Sequence, residues 1–96
     1  MKAQMHNYSS YIDDVDSKRL KEIFTGILKN AGFTIESFQE KHFQPYGYTC
    51  LFLLSESHFA IHTFPEENQT YIELSSCVKK QFNMFLHLLY NYEQSI

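Results

Sequence analysis

The sequence predicts an α+β protein, a two-layer α/β sandwich in which two helices lie on one face of a mainly antiparallel sheet. Two observations support this fold class. Apolar residues recur at helical spacing in two separate stretches, one early in the chain and one near its end. Between these stretches, short segments of strand-like composition are separated by Gly, Pro and acidic residues that favour turns. The predicted order of elements, β-α-β-β-β-α, is typical of helices segregated to one face of a sheet.

Length and composition limit the chain to a single domain over residues 1–96. With 44% hydrophobic residues, three Gly and two Pro, it has the composition of an ordinary small globular domain. The formal net charge of −3 and the lack of a Lys and Arg cluster argue against nucleic acid as a partner. No apolar run is long enough to span a membrane and no signal peptide is evident, so we expect a cytoplasmic protein whose two Cys are thiols.

The first half of the chain predicts a strand, a helix and a second strand. Residues 4–12, rich in Tyr and Ser, form the first predicted strand, and Asp16 or Ser17 is the expected cap of the helix. The acidic residues around Asp16 lack the Gly and the distal Glu of a calcium-binding EF-hand loop. One helical face is apolar: Leu20, Ile23, Phe24, Ile27, Leu28 and Ala31. Gly32 is expected to end this helix, and residues 33–40 alternate as a strand does.

The second half predicts the rest of the sheet and the final helix. After a loop that contains Pro and Gly, residues 48–55 are nearly all apolar and predict a central strand, with helices on one side and a partner on the other. A hinge at Glu56-Ser57 leads into a strand over residues 59–64. A turn with Pro and acidic residues then leads into the returning strand, residues 71–75. Apolar residues at helical spacing predict the last helix: Val78, Phe82, Phe85, Leu86 and Leu89.

Residues 55–66 carry the candidate chemistry. As a strand, this stretch alternates so that His58 and His62 share one face, and Ser57 comes directly before them. A hydroxyl close to a ring nitrogen is the outline of a nucleophile and its base. The same spacing is also typical of a half-buried surface strand without catalytic function. A metal site is the weaker interpretation, because no third ligand stands at short spacing from the two His.

Three motifs in this stretch carry a family resemblance: Glu56-Ser57-His58, Ile61-His62-Thr63 and Pro65-Glu66. They resemble the Glu-Ser-His-x-x-Ile-His-Thr-Trp-Pro-Glu signature of the bacterial and archaeal S-adenosylmethionine decarboxylase proenzymes. In that family a catalytic Cys lies twenty residues beyond the Ser, and Cys77 stands twenty residues beyond Ser57. The similarity covers about residues 28–77 and includes an upstream motif, His42-Phe43-Gln44-Pro45-Tyr46-Gly47.

The resemblance implies a pyruvoyl-dependent decarboxylase that makes its own cofactor. Ser57 would attack the carbonyl of Glu56, convert the amide to an ester and, after β-elimination, become a pyruvoyl group. The chain would thereby be cut into a β chain, residues 1–56, and an α chain, residues 57–96. The pyruvoyl group would replace pyridoxal phosphate as the electron sink, through a Schiff base with the substrate amine.

The resemblance also implies roles for other residues in this process. His62 corresponds to the processing base, which removes the Cα proton during the elimination. Thr49 stands where the family has a hydroxyl that assists the acyl shift. Cys77 corresponds to the residue that returns a proton to the substrate after decarboxylation.

The substrate implied by the resemblance is S-adenosylmethionine, whose decarboxylated form is the aminopropyl donor for spermidine. Phe43 and Phe64 correspond to aromatic residues that stack on the adenine, with Phe64 in place of the usual Trp, and Glu66 corresponds to a carboxylate that binds the ribose. The chain departs from the family pattern at three further positions: Cys50, Glu73 and Val78.

Two alternatives follow from these departures. The first is a pyruvoyl enzyme that decarboxylates ornithine or arginine, and the second is a non-catalytic homologue that acts as an interaction subunit. Because members of the family place their active sites at subunit interfaces, the resemblance further implies a homodimer of cleaved protomers.

Overall fold

The computed structural model describes residues 2–95, which form five strands and two α-helices. The elements in chain order are β1 His6–Ile12, α1 Ser17–Asn30, β2 Ile35–His42, β3 Tyr48–Leu54, β4 Ser57–Phe64, β5 Gln69–Ser76 and α2 Lys79–Gln94. A short 3-10 turn, Pro65–Glu67, joins β4 to β5. The α+β fold class is confirmed, and none of the helices in the described part of the chain is long and apolar enough to cross a membrane.

The predicted order β-α-β-β-β-α has one strand too few, although the sequence indicated five strand segments, and the structure contains all five. Leu54 pairs with Ser57, so Ser55 and Glu56 are the two loop residues of a tight hairpin. The predicted hinge is therefore a full reversal of the chain. With β4 beginning at Ser57, the order becomes β-α-β-β-β-β-α.

The five strands form one antiparallel sheet in the order β1-β5-β4-β3-β2. β4 is the middle strand, and β3, which the sequence predicted as a central strand, is also an interior strand, between β4 and β2. Two Leu side chains of β3 are exposed on the side of the sheet that carries no helix. Because β4 is central, both of its neighbours, β3 and β5, can place side chains beside its own.

Both helices cover the same side of the sheet, which we call the helix face. Phe59 of β4 packs between Phe24 of α1 and Phe85 of α2, with ring centroids 5.1 and 5.4 Å away. We call the other side the open face, and the described residues provide no layer that covers it. On β3 and β4 it presents Thr49, Leu51, Leu53, His58, Ala60, His62 and Phe64. Leu51 and Leu53 are 48% and 55% exposed there, so an apolar patch faces solvent.

The two ends of α1 follow the sequence prediction. Of the two expected caps, Asp16 is the one observed: its Oδ1 accepts the backbone N–H of Arg19 at 3.0 Å. Asp14 binds the Arg19 guanidinium with both carboxylate oxygens, at 2.7 and 2.8 Å. This hydrogen-bonded pair holds the pKa of Asp14 below its ordinary value of 3.8. At the other end, Gly32 adopts a φ of 101°, a conformation that Gly reaches without strain.

Replacing Asp14 by Asn should lower the thermal unfolding midpoint at pH 7, because the charged pair with Arg19 is lost. A carboxyl whose pKa is lowered by folding adds stability above its unfolded pKa and loses it as the pH falls through the folded pKa. The difference between wild type and variant should therefore be full above pH 3.8 and shrink below it. Asp13→Asn, at the exposed neighbouring carboxylate, is the matched control. A difference that stays constant down to pH 2 would contradict this assignment.

Candidate active site

Ser57 is the first residue of β4, and its side chain points to the helix face, where it is only 6% exposed. Its Oγ donates a hydrogen bond to Oγ of Ser76 at 2.7 Å. Ser76 is fully buried and also accepts the backbone N–H of Val78 at 3.0 Å. Ser57 and Ser76 lie directly opposite each other in the β4–β5 pairing, which brings their side chains together. Ser76 is a site residue that none of the sequence motifs indicated.

Glu56 precedes Ser57 with a φ of 59°, in the left-handed region. This conformation is uncommon for a residue other than Gly and costs about 1–2 kcal/mol. Glu56 occupies it because a two-residue loop must connect β3 to β4. The backbone strain thus lies at the residue whose carbonyl precedes Ser57.

Cys77 contacts the same carbonyl from the end of β5. Its Sγ–H donates to the carbonyl oxygen of Glu56 at 3.3 Å, and its backbone N–H donates to the same oxygen at 3.5 Å. Two donors on one carbonyl oxygen stabilise negative charge that develops there, as in an oxyanion hole. Ser57 and Cys77, twenty positions apart in the sequence, come close together because β5 returns alongside β4. We call the group formed by Glu56, Ser57, Ser76 and Cys77 the cleavage end.

Thr49 and His62 form a second group on the open face. They are paired across β3 and β4, and Thr49 Oγ1 is hydrogen-bonded to His62 Nδ1 at 2.9 Å. On the other side of β4, the ring centroid of Tyr71 lies 6.1 Å from that of His62. The Tyr71 hydroxyl donates in turn to Oε1 of Glu73 at 2.9 Å. The imidazole is thus held by a hydrogen bond on one side and by an aromatic ring on the other.

The three residues predicted to contact the substrate lie near the C-terminal end of β4, the end of the strand that is nearer to His62. Phe64 is the last residue of β4 and Glu66 lies in the 3-10 turn that follows. Phe43 lies in the loop before β3, where its N–H donates to the carbonyl of Gly47 at 2.8 Å. Phe43 and Phe64 are 49% and 40% exposed, so their rings are accessible. We call the group formed by Phe43, Thr49, His62, Phe64 and Glu66 the imidazole end.

The cleavage end and the imidazole end are separated within one chain. Ser57 and His62 are five residues apart on β4, about 17 Å at the rise of an antiparallel strand, and their side chains lie on opposite faces. The expectation that the Ser57 hydroxyl lies close to a His ring nitrogen is therefore wrong for a single protomer. His58 does not change this conclusion, because its side chain is exposed on the open face.

Two further observations delimit the site. Cys50 follows Thr49 but points to the helix face, where burial raises the pKa of its thiol to about 11. It remains a neutral thiol, and its side chain faces away from Thr49 and His62. Within residues 2–95, no three His, Cys, Asp or Glu side chains come together as metal ligands.

A sequence model of the family described as S-adenosylmethionine decarboxylase matches residues 6–92, which is nearly the whole chain. The chain belongs to the S-adenosylmethionine decarboxylase family. The match includes the residues of both the cleavage end and the imidazole end.

Curated relatives with S-adenosylmethionine decarboxylase names are similar to parts of this family member. Proenzyme 2 of Bacillus cereus is 49% identical over 47 residues, which cover 49% of this chain and 38% of the relative. The Brevibacillus brevis proenzyme is 40% identical over 62 residues, covering 65% and 47% of the two chains. The Persephonella marina proenzyme is 35% identical over 75 residues, covering 77% and 56%. The matches therefore span between about two fifths and three fifths of these relatives.

A solved structure supports the fold of this decarboxylase-family chain. The crystal structure of the adenosylmethionine decarboxylase of Aquifex aeolicus superposes with a TM-score of 0.65 at 25% sequence identity. The superposition covers 88% of this chain and 78% of the other. The arrangement of strands and helices described above is thus similar to that of a family member over most of its length.

The strain at Glu56 can be tested by substitution in a chain that lacks the Ser57 hydroxyl. In a Ser57→Ala background, Glu56→Gly should be more stable than Asn68→Gly by about 1 kcal/mol, because Gly relieves the left-handed conformation of Glu56. Asn68 is the matched control: it has a φ of 54°, but Asn adopts this conformation at little cost. Urea unfolding of both variants measures the difference. Equal stabilities would show that Glu56 is not strained.

Proposed function

We propose that the protein is a self-processing, pyruvoyl-dependent decarboxylase that acts on S-adenosylmethionine and supplies an aminopropyl donor for spermidine synthesis. The observation that carries this proposal is the cleavage end. It places the hydroxyl of Ser57, the strained residue Glu56 and the donors of Cys77 around one peptide bond. A nucleophile, an activated carbonyl and a source of strain are what an acyl shift between adjacent residues requires.

Maturation begins with the acyl shift. Ser57 Oγ forms a bond to the carbonyl carbon of Glu56, and the C–N bond of the peptide then breaks, which leaves an ester and a free amine. The negative charge on the carbonyl oxygen is stabilised by the two donors of Cys77. The Cα proton of Ser57 is then removed, the Cβ–Oγ bond breaks, and Glu56 leaves as a carboxylate. The resulting dehydroalanine tautomerises to an imine, water adds to the imine carbon, and ammonia leaves, which gives the pyruvoyl carbonyl.

The residues of the cleavage end also fit the mature enzyme. Ser57 is the first residue of β4, so the new N-terminus would remain at the end of a strand that is held on both sides. A pyruvoyl group supplies the electron sink that loss of a carboxylate from an α-amino acid needs. Cys77 stays next to this position as the proton donor, since it already contacts the preceding carbonyl.

The imidazole end must come from a second copy of the chain. His62 lies about 17 Å from Ser57 along β4, too far to remove its Cα proton within one protomer. A two-fold axis that stacks two open faces in opposite directions would place the imidazole end of each protomer on the cleavage end of the other. The exposed side chains of Leu51 and Leu53 provide apolar surface for such an interface.

This arrangement divides the two steps of maturation between the two faces of the sheet. The acyl shift involves the Ser57 hydroxyl, which is buried on the helix face. The elimination would remove the Ser57 Cα proton, and in this proposal the base approaches from the open side, opposite to the Ser57 side chain. His62 is suited to that role because an imidazole nitrogen can accept a proton, and Thr49 fixes its ring by a hydrogen bond.

The imidazole end also favours S-adenosylmethionine over ornithine or arginine. Phe43 and Phe64 offer two accessible aromatic rings, which suit a flat adenine and attract a sulfonium cation. Glu66 adds an exposed carboxylate that can accept hydrogen bonds from ribose hydroxyls. Ornithine and arginine carry no aromatic base that would use both rings.

Intact mass measurement under denaturing conditions tests self-cleavage. We expect two fragments, residues 1–56 and residues 57–96, the second with a pyruvoyl group in place of Ser57. The Ser57→Ala variant should remain one uncut chain, because it lacks the nucleophile. A wild-type chain that folds but stays uncut would overturn the proposed function.

The substrate needs a second measurement on the cleaved protein. Release of carbon dioxide should be compared for S-adenosylmethionine, ornithine and arginine, with Ser57→Ala as the blank. We expect turnover of S-adenosylmethionine alone. If the protein turned over ornithine or arginine but not S-adenosylmethionine, the pyruvoyl chemistry would stand and the proposed substrate would be wrong.

A further inference from the structure

Ser76 is hydrogen-bonded to the side chain of Ser57, which the proposed maturation would convert to a pyruvoyl group. Its Oγ is the hydrogen-bond acceptor for the Ser57 hydroxyl, at 2.7 Å, and both residues are buried on the helix face. A hydroxyl oxygen has two lone pairs. One lone pair of Ser76 Oγ accepts the Val78 N–H at 3.0 Å, and the other accepts the proton of Ser57. The hydrogen bond from the Val78 amide thus leaves one lone pair of Ser76 Oγ to accept the Ser57 hydroxyl.

This hydrogen bond determines how the nucleophile is presented. Because the Ser57 O–H points to Ser76, both lone pairs of Ser57 Oγ are left free for attack. The cross-strand pairing of the two residues fixes their separation, and the absence of solvent around Ser76 keeps water from competing for the proton. Ser76 and Cys77 are consecutive, so one short segment holds both the nucleophile and the carbonyl that it attacks.

We propose that Ser76 orients the Ser57 hydroxyl for the acyl shift and receives its proton, an inference that rests on the proposed self-cleavage. As the bond from Ser57 Oγ to the Glu56 carbonyl carbon forms, the Oγ proton passes to Ser76 Oγ, and in the same step the hydroxyl proton that Ser76 carried passes to the Ser57 nitrogen. The C–N bond then breaks and leaves an ester and an amine. Ser76 is a neutral hydroxyl before and after the step, so no other acid or base is consumed.

Three variants of Ser76 separate this role from simple packing. Ser76→Cys keeps the volume but offers only a weak acceptor, and Ser76→Ala removes the acceptor. Ser76→Thr keeps the hydroxyl and adds a methyl group at a fully buried position. If Ser76 acts through its hydroxyl, the Ser76→Thr chain should cleave itself faster than the Ser76→Cys chain. If Ser76 only fills space, the Ser76→Cys chain should be the faster of the two.

The rate of cleavage is followed by intact mass after refolding each purified, full-length chain. We expect Ser76→Cys and Ser76→Ala to be slower than wild type by about 10² to 10⁴-fold, the range of general acid–base contributions. Ser10→Ala is the matched control, because it removes a buried hydroxyl that has no hydrogen-bond partner among the described residues. It should cleave at the wild-type rate. Thermal midpoints of all variants identify any chain that is merely destabilised.

Hydroxylamine shows which step is slow. It attacks an ester carbonyl, its nitrogen bonds to the Glu56 carbon, and the C–Oγ bond breaks, leaving a hydroxamic acid and a free Ser57. A His62→Ala chain stalled in the elimination should contain the ester and be cut. A Ser76→Cys chain stalled before the ester forms should resist hydroxylamine, even if its thermal midpoint is lowered.

The outcomes distinguish this inference from the proposed function. Cleavage of Ser76→Cys at the wild-type rate, or its rapid cutting by hydroxylamine, would overturn the role of Ser76 and leave self-cleavage standing. An uncut wild-type chain would overturn both. A slow Ser76→Cys chain that resists hydroxylamine, together with a faster Ser76→Thr chain, would support the assignment.

Discussion

The pairing of β4 with β5 is the constraint on which the cleavage end depends. It places Ser57 opposite Ser76 and carries Cys77 one residue further, to the carbonyl of Glu56. The hairpin between β3 and β4 adds the second constraint, since its two-residue loop forces Glu56 into a left-handed conformation. A shift of either pairing by one residue would turn the Ser57 hydroxyl to the open face and away from its acceptor. The chemistry of one peptide bond is thus set by backbone hydrogen bonds along two strand pairs.

The same strand that positions Ser57 keeps it apart from His62. A rigid β4 of eight residues has a length of roughly 25 Å and two faces, so it cannot bring its first and sixth side chains together. This separation has a consequence for the proposed maturation. The acyl shift would use groups within one protomer, whereas the elimination would require a base from another. Assembly would therefore precede the irreversible step, and an isolated protomer would stop at the reversible ester.

Much of the fold could be predicted from the sequence, because it depends on local patterns. The apolar stripe of α1, its cap at Asp16 and its end at Gly32 were all predicted and are confirmed. The site was predicted less well, because strand alternation assigns faces but not partners. Ser76 could have been found by counting outward from Phe64 and Gln69, the closing pair of the β4–β5 hairpin, seven residues along each strand. The positive φ of Glu56 had no such signal, since neither Ser55 nor Glu56 is a typical residue for that turn.

Complementation between two inactive variants tests the composite site most directly. A Ser57→Ala chain still provides His62, and a His62→Ala chain still provides Ser57, so each should remain uncut alone. When the two are co-expressed with different tags, about half of the His62→Ala chains should pair with the other variant and be cut between Glu56 and Ser57. Intact mass of the separately tagged chains measures this fraction. A His62→Ala chain that stays whole although it co-purifies with Ser57→Ala, or that cuts itself fully when alone, would contradict the account.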